Sequence, residues 1–233
     1  MSGPPVTVAR ADSAAGEVVL RRRGGTVELI VGGVFVMDTV DVSTEVELAT
    51  RTLARHPRPA RVLVGGLGLG FTVEALLADA RVEQVVVVEI AEPLVEWAGQ
   101  GLLPARGLRD PRVGFRAGDV GAALRASPGE WDLVLLDVDN GPGFLVRQEN
   151  AELYARAGLR AAVASLRPGG ILAIWSSHRA PELLGALEAL GAGTVEEILR
   201  TVRREGREFD YAIYLTARDG GGRTDLSTPH TPE

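Results

Sequence analysis

From residue 61 onward, short β-rich runs alternate with helical segments, and this alternation limits the possible folds more than any other feature. Most of these runs are apolar along their whole length and lack the in–out alternation of a strand with one wet face. Such strands are typical of parallel sheets that helices cover on both sides. The predicted strands span residues 61–64, 85–88, 112–116, 131–137 and 171–176.

The end of the alternating region has a different pattern. Residues 196–204 and 208–216 are β-like and are joined through Glu205 and Gly206, which predicts a closing antiparallel hairpin. We therefore predict an α/β fold with a doubly wound, Rossmann-like sheet that is mostly parallel and ends in this hairpin. A ligand of such a sheet binds at the carboxyl ends of the strands, so the residues that follow each strand are the candidates.

The regions outside the alternation are predicted to be smaller units. Residues 1–16 resemble a flexible leader, and residues 17–42 form a small β-hairpin or meander with paired glycines at its turns. Thr44 and Glu47 have the spacing of a capping box, which predicts that a helix begins here. Residues 43–218 would then be the main domain, and 219–233 a disordered tail.

The composition removes several classes of function. The chain has 233 residues, no cysteine and a net charge of −6, and all 25 of its basic residues are arginine. Thiolate–metal sites, cysteine nucleophiles and lysine Schiff bases are excluded, and binding to nucleic acid through bulk charge is disfavoured. No apolar run reaches the roughly 20 residues that span a bilayer, and the N-terminus does not have the pattern of a signal peptide. We expect a cytoplasmic protein with no membrane or nucleic-acid partner.

A glycine-rich loop follows the first predicted strand of the alternation and leads into a helix. Its glycines are Gly65, Gly66, Gly68 and Gly70. Glycine allows the backbone to come close to a ligand and to take dihedral angles that other residues avoid. Because of its place after the first strand, we predict that this loop binds a ligand rather than forming only a tight turn.

Two acidic residues follow the next two predicted strands. Glu89 ends the second strand, where a carboxylate can accept hydrogen bonds from both hydroxyls of a ribose. Asp119 follows the third strand, where it can accept a hydrogen bond from an adenine amino group or cap the helix that comes next. The two functions of Asp119 are compatible. Together with the glycine loop, these acids predict an adenosine-containing ligand.

The fourth strand ends in a polar loop that contains Asp137, Asp139 and Asn140. Side chains alternate along an extended segment, so the two aspartates can share a face. Carboxylates held close together attract a cation or take up a proton. We predict a catalytic or substrate-binding loop here, with an Asx-rich turn as the alternative and with no metal ion. A nicotinamide dinucleotide does not call for acids after the third and fourth strands, whereas adenosine with a sulfonium group does.

These segments resemble the class I S-adenosylmethionine (SAM)-dependent methyltransferase fold and, more closely, its spermidine synthase (polyamine aminopropyltransferase) branch. The resemblance covers roughly residues 43–176. Its motifs lie at residues 62–70, 86–90, 110–113, 118–119, 131–137 and 166–170. It implies that the glycine loop, Glu89 and Asp119 bind SAM or decarboxylated SAM. It also implies that Asp137 is the base, that Asp139 and Asn140 position a small-molecule acceptor, and that the N-terminal β region forms a homodimer.

The chain differs from the spermidine synthase pattern at three places. The glycine loop has Gly68 where that family has an aspartate, the acidic loop has Asn140 at its fourth position, and residues 43–49 lack a Tyr-His pair. Without an acid at position 68, backbone N–H groups are free to receive the carboxylate of intact SAM. The sequence therefore favours methyl transfer to a small acceptor. Aminopropyl transfer, a SAM-binding module without catalysis and a nicotinamide oxidoreductase are the alternatives.

Overall fold

The computed structural model describes residues 3–138, 150–204 and 207–220. These residues form a four-stranded N-terminal sheet and a seven-stranded main sheet with helices around it. No helix within these ranges is long and apolar enough to cross a membrane.

The N-terminal sheet is antiparallel and follows chain order. Its strands are β1 (Val6–Ser13), β2 (Gly16–Arg23), β3 (Thr26–Val31) and β4 (Val34–Asp38). The predicted meander is present, but the prediction of a flexible leader is wrong for residues 6–13, since β1 pairs with β2 along most of its length. The run Val6-Thr7-Val8 has two β-branched valines and a threonine, which favour an extended strand once a partner strand is available.

Seven helices lie in the described part of the chain. They are α1 (Ser43–Leu53), α2 (Phe71–Leu77), α3 (Glu92–Gln100), α4 (Val120–Ala126), α5 (Ala151–Tyr154), α6 (Arg156–Ser165) and α7 (Pro181–Glu188). The helix predicted after residue 42 forms, but the capping box does not. Val42 is the N-cap, and its apolar side chain cannot cap the helix. Thr44 lies inside the first turn instead, where its hydroxyl donates to Glu45 Oε2 at 2.7 Å.

The main sheet contains all of the strands that the sequence predicts. They are β5 (Arg61–Gly65), β6 (Gln84–Glu89), β7 (Val113–Ala117), β8 (Trp131–Leu136), β9 (Leu166–Ser176), β10 (Val195–Arg204) and β11 (Arg207–Ala217). The order across the sheet is β10-β11-β9-β8-β5-β6-β7. Strands β5 to β9 pair in parallel, and β11 runs antiparallel to β9. This arrangement confirms the predicted Rossmann-like sheet with a C-terminal antiparallel hairpin.

Alternate residues of each central strand enter different layers of the core. In β5, Val62 and Val64 pack on the side that contains α1, α2, α3 and the N-terminal sheet, whereas Leu63 packs on the side of α4, α6 and α7. Leu20 and Leu29 of the N-terminal sheet are buried in the first of these layers. The N-terminal sheet is thereby fixed against the main domain beside the carboxyl edge of the parallel strands.

Candidate active site

A cleft opens at the carboxyl edge of the parallel strands, where β6 and β8 lie on either side of β5 and the chain order of the sheet reverses. It holds about 950 Å³ of space that protein atoms do not occupy, including its mouth. Four of its lining residues are acidic: Glu45, Glu89, Asp119 and Asp137. The N-terminal sheet and the turn after β1 contribute an apolar wall, formed by Ala15, Leu29, Val31, Val36 and Met37.

The glycine loop and the acidic loop touch at Gly66. Its φ of +88° is one that side-chain-bearing residues rarely adopt, and a Cβ there would lie 2.2 Å from the carbonyl oxygen of Asp137. The Gly66 N–H donates to the Val88 carbonyl at 2.9 Å, and the Asp137 N–H donates to the Gly65 carbonyl at 2.8 Å. Glycine at this position therefore lets the ends of β5, β6 and β8 meet at one point.

The far end of the glycine loop contacts the N-terminal sheet. Gly68 has a φ of +52°, and a Cβ there would lie 2.8 Å from Sδ of Met37. The same sulfur accepts a hydrogen bond from the Leu69 N–H at 3.3 Å. Gly66 and Gly68 line the cleft, whereas Gly65 packs against Val120 and Gly70 is the N-cap of α2.

Glu89 is buried at the end of β6, with its carboxylate at the floor of the cleft. Its Oε2 accepts from the Leu67 N–H at 2.7 Å and its Oε1 from the Ala91 N–H at 2.8 Å. Burial raises the pKa of this carboxyl, and these backbone hydrogen bonds oppose the rise. Each oxygen has a second acceptor site, so a sugar hydroxyl can bind without displacing the loop.

Asp119 is the N-cap of α4, as the sequence predicted. Its Oδ1 accepts from the Ala122 N–H at 2.6 Å, and the residue also lines the cleft. One carboxylate oxygen therefore holds the helix while the group stays half-exposed at the mouth. The contact with adenine stays a prediction, and it is compatible with the cap.

Asp137 follows β8 directly and is held by a threonine of α2. The Thr72 hydroxyl donates to Asp137 Oδ2 at 2.7 Å. Burial raises the pKa of Asp137, and the hydrogen bond from Thr72 lowers it. Asp139 and Asn140 lie outside the described residues, so their predicted contact with substrate stays a prediction.

Glu45 is the main functional candidate that the sequence reasoning missed. It lies in the first turn of α1 and faces the cleft with Asp137. Burial and the nearby charge of Asp137 raise the pKa of Glu45 to about 7. A sequence signal existed: Glu45 precedes Leu48, Ala49 and Thr52, all buried, by three, four and seven residues, so it is an acid on the buried stripe of its helix.

Trp175 is a second missed residue. Trp175 lies near the carboxyl end of β9 and lines the cleft. Its ring packs against that of Tyr211, with the ring centroids 5.6 Å apart. Its indole N–H is buried and has no hydrogen-bond partner among the described residues. An acceptor atom of a bound ligand would satisfy that donor.

The acidic groups of the described residues do not form a metal centre. Within those ranges, no group of three or more histidine, aspartate or glutamate side chains is arranged to hold a metal ion. The cleft instead offers carboxylates, backbone N–H groups and an apolar wall, which together suit an organic cation that carries a sugar and an alkyl chain.

Sequence relatives carry names from polyamine chemistry. Polyamine aminopropyltransferase 2 of Pseudomonas aeruginosa is 32% identical over 133 residues, which is 54% of this chain and 36% of that protein. Spermidine synthase of Solanum lycopersicum is 31% identical over 186 residues, 75% of this chain and 52% of that protein. Putrescine N-methyltransferase 2 of Nicotiana attenuata is 29% identical over 193 residues, 77% of this chain and 49% of that protein. The chain thus spans about half the length, or less, of these relatives.

Solved structures show the same fold. A spermidine synthase crystallised with the transition-state analogue AdoDATO superposes with a TM-score of 0.79 at 17% identity, covering 95% of this chain and 75% of that one. The spermidine synthase of Thermotoga maritima gives a TM-score of 0.75 at 18% identity, covering 95% and 74%. No protein-family profile matches the chain.

The sheet order and the cleft at its carboxyl edge define a Rossmann-like α/β fold. Within that class, the chain is similar to the spermidine synthase-like branch, to which its sequence relatives and its structural neighbours point together.

Proposed function

We propose that this chain transfers an aminopropyl group from decarboxylated SAM to an amine of a small molecule. The observation that carries the proposal is the Glu45–Asp137 pair, two carboxyl groups from different elements that face one cleft with an apolar wall. An alkyl amine has the matching chemistry, because its ammonium group pairs with carboxylates and its chain packs on apolar side chains.

The donor half of the cleft fits an adenosyl group. Glu89 offers two acceptor oxygens at the end of β6, where a ribose binds in folds of this kind. Gly66 and Gly68 present backbone without side chains beside it. Asp119 at the mouth provides a carboxylate oxygen beyond the one that caps α4.

The acceptor half provides a place for a proton. An amine attacks only after it loses a proton, and Asp137 and Glu45 lie in the cleft with raised pKa values. Thr72 fixes Asp137 through its hydroxyl, and Thr44 fixes Glu45 in the same way. The pair therefore holds the ammonium while one member takes its proton.

A sulfonium donor would supply an electrophilic carbon: the amine nitrogen forms a bond to that carbon, the carbon–sulfur bond breaks, and a neutral thioether leaves. No negative charge develops on the leaving group. The residues of the cleft then have two tasks, which are to align the nitrogen with the carbon and to exclude water. The apolar wall formed by Ala15, Leu29, Val31, Val36 and Met37 serves the second task.

Methyl transfer from intact SAM is the second candidate function. It is favoured by Gly68, which leaves the loop without an acid that would repel the SAM carboxylate. The relative from Nicotiana attenuata that is named putrescine N-methyltransferase shows that a protein of similar sequence carries that name. Both candidates require the same acceptor site at Glu45 and Asp137.

Product analysis separates the two candidates. Purified protein is incubated with decarboxylated SAM or with SAM and a panel of diamines, and the thioether product and the modified amine are measured by mass spectrometry. Aminopropyl transfer yields methylthioadenosine only from decarboxylated SAM, whereas methyl transfer yields S-adenosylhomocysteine only from SAM. Donor binding without either product would identify a binding module without catalysis.

Asp137→Asn tests the proposed base. We expect turnover to fall by about 100-fold or more, which is the usual size of general-base catalysis, while the dissociation constant of the thioether product stays the same. Asp12→Asn is the matched control, since Asp12 is an exposed aspartate of β1 that does not line the cleft. Full turnover in Asp137→Asn would exclude the base assignment.

The remaining expectations are part of the same proposal. Asp139 and Asn140 would position the acceptor beside Asp137, the N-terminal β region would join two copies of the chain, and the protein would act in the cytoplasm. Sedimentation of the purified chain measures the oligomeric state directly.

A further inference from the structure

The N-terminal sheet reaches the glycine loop through one side chain, Met37. Its sulfur lies 3.3 Å from the Leu69 nitrogen and accepts the hydrogen bond of that backbone N–H. A Cβ on Gly68 would lie 2.8 Å from the same sulfur, which is closer than Cβ atoms in proteins approach another atom. Met37 therefore fills the space over the loop that a side chain at position 68 would occupy.

The contact leaves the Leu69 N–H weakly satisfied. A thioether is a poor hydrogen-bond acceptor, whereas a carboxylate is among the strongest. Methionine is also flexible, with three rotatable bonds, so its sulfur can move away at little cost. A ligand carboxylate that displaces the Met37 sulfur gains a hydrogen bond from the Leu69 N–H. A ligand that has no carboxylate gains no such hydrogen bond by displacing Met37.

The two donors considered for this fold differ at that group alone. SAM carries a carboxylate on its tail, and decarboxylated SAM carries only the ammonium. Met37 and Gly68 line the same cleft as Asp137 and Glu89. A donor bound in that cleft would have both residues among its neighbours.

We propose that Met37 determines which of these donors the cleft prefers, by controlling access to the Leu69 N–H and by excluding a side chain from position 68. This inference rests on the proposed donor class. Donor preference is the ratio of the dissociation constants of SAM and decarboxylated SAM. It is measured separately from whether the protein transfers a methyl or an aminopropyl group.

The test is calorimetric titration of SAM and decarboxylated SAM into variants at position 37. Met37→Ala frees the Leu69 N–H, so we expect the ratio of affinities to shift toward SAM by about fivefold, the size of one hydrogen bond. Met37→Gln has a similar volume but a strong acceptor, which competes with the SAM carboxylate and shifts the ratio about fivefold the other way. Opposite shifts from two substitutions at one residue would not follow from a general loss of packing.

A second pair of variants tests the space over Gly68. In Gly68→Asp the new side chain meets Met37, and we expect weaker binding of both donors. In Met37→Ala/Gly68→Asp the space is open, and Asp is among the residues that tolerate a positive φ. The added carboxylate attracts the ammonium tail and repels the SAM carboxylate, so this variant should favour decarboxylated SAM by about tenfold relative to Met37→Ala.

Phe35→Ala is the matched control, because Phe35 belongs to the same strand but is an exposed residue outside the cleft lining. Its ratio of dissociation constants should equal that of the unmodified chain. If the unmodified chain binds donors and the ratio stays within about twofold in every variant, below the size of one hydrogen bond, Met37 has no such function. If the unmodified chain binds neither donor, the proposed function fails, and this inference fails with it.

Discussion

Replacing Glu45 by glutamine should stabilise the protein at neutral and alkaline pH. The carboxyl group of Glu45 lies in the cleft beside Asp137, and burial together with that charge raises its pKa from 4.5 to about 7. The unfolded chain has no such environment, so its Glu45 ionises near the ordinary value. Glutamine is nearly isosteric and cannot ionise, so Glu45→Gln removes the cost of forming this charge in the fold.

The sign and size follow from proton linkage. Below about pH 4.5 Glu45 is protonated in both states and costs nothing. Between about 4.5 and 7 the folded state holds the proton more tightly, so the free energy of unfolding falls as the pH rises. Each pKa unit corresponds to about 1.4 kcal/mol, which gives a loss of up to about 3 kcal/mol that is complete above pH 7.

Urea unfolding at pH 5 and pH 8 measures this effect. We expect the difference in free energy of unfolding between Glu45→Gln and the unmodified chain to grow by about 2 to 3 kcal/mol from the lower pH to the higher. Glu47→Gln on the same helix is the control. It loses its ion pairs with Arg51 and Arg200 outside the cleft and should change stability by less than about 1 kcal/mol at both pH values. An equal difference at both pH values for Glu45→Gln would refute the raised pKa of Glu45 in the folded protein.

Substitutions at Gly66, Asp119 and Thr72 test other contacts. Gly66→Ala should cost more than about 3 kcal/mol in thermal or urea unfolding because of the 2.2 Å contact with the Asp137 carbonyl, whereas Gly99→Ala, with open space around it, should cost nothing. Asp119→Ala should cost about 1 kcal/mol by loss of the α4 cap, and Asp119→Asn should retain most of it. Thr72→Val removes the hydrogen bond that lowers the pKa of Asp137, so the acidic limb of the pH–rate profile should move to higher pH; an unmoved limb would mean that Asp137 is not the group that titrates.

The sequence predicted the main sheet well because the strands of a parallel sheet buried on both faces are recognisable one at a time. The run Val85–Val88 needs no partner to be read as a buried strand, and the acids that follow such strands meet wherever the sheet places their ends. Gly66, Glu89, Asp119 and Asp137 all lie at the cleft for that reason.

The contacts that the sequence did not reveal are those between distant elements. Two helices contribute Glu45 and Thr72, which lie beside Asp137, and a strand contributes Met37, which contacts the glycine loop. The sequence around each of these residues does not predict those contacts. The strand β1 was missed because a β-branched run near a terminus is informative only once its partner is known. The capping box failed because the helix begins at Ser43, so Thr44 lies within the first turn and not at the N-cap.

The order of the last two strands has a consequence for how the protein is made. In the described sheet β10 touches β11 and not β9, so β11 separates it from the rest of the sheet, although β10 comes first along the chain. As the polypeptide leaves the ribosome, β10 emerges with no strand to pair with and β9 has an open edge. When β11 emerges, it pairs with β10 along one edge and with β9 along the other. A stalled or shortened product that stops between β10 and β11 would present two unpaired strand edges, which are the surfaces that promote aggregation.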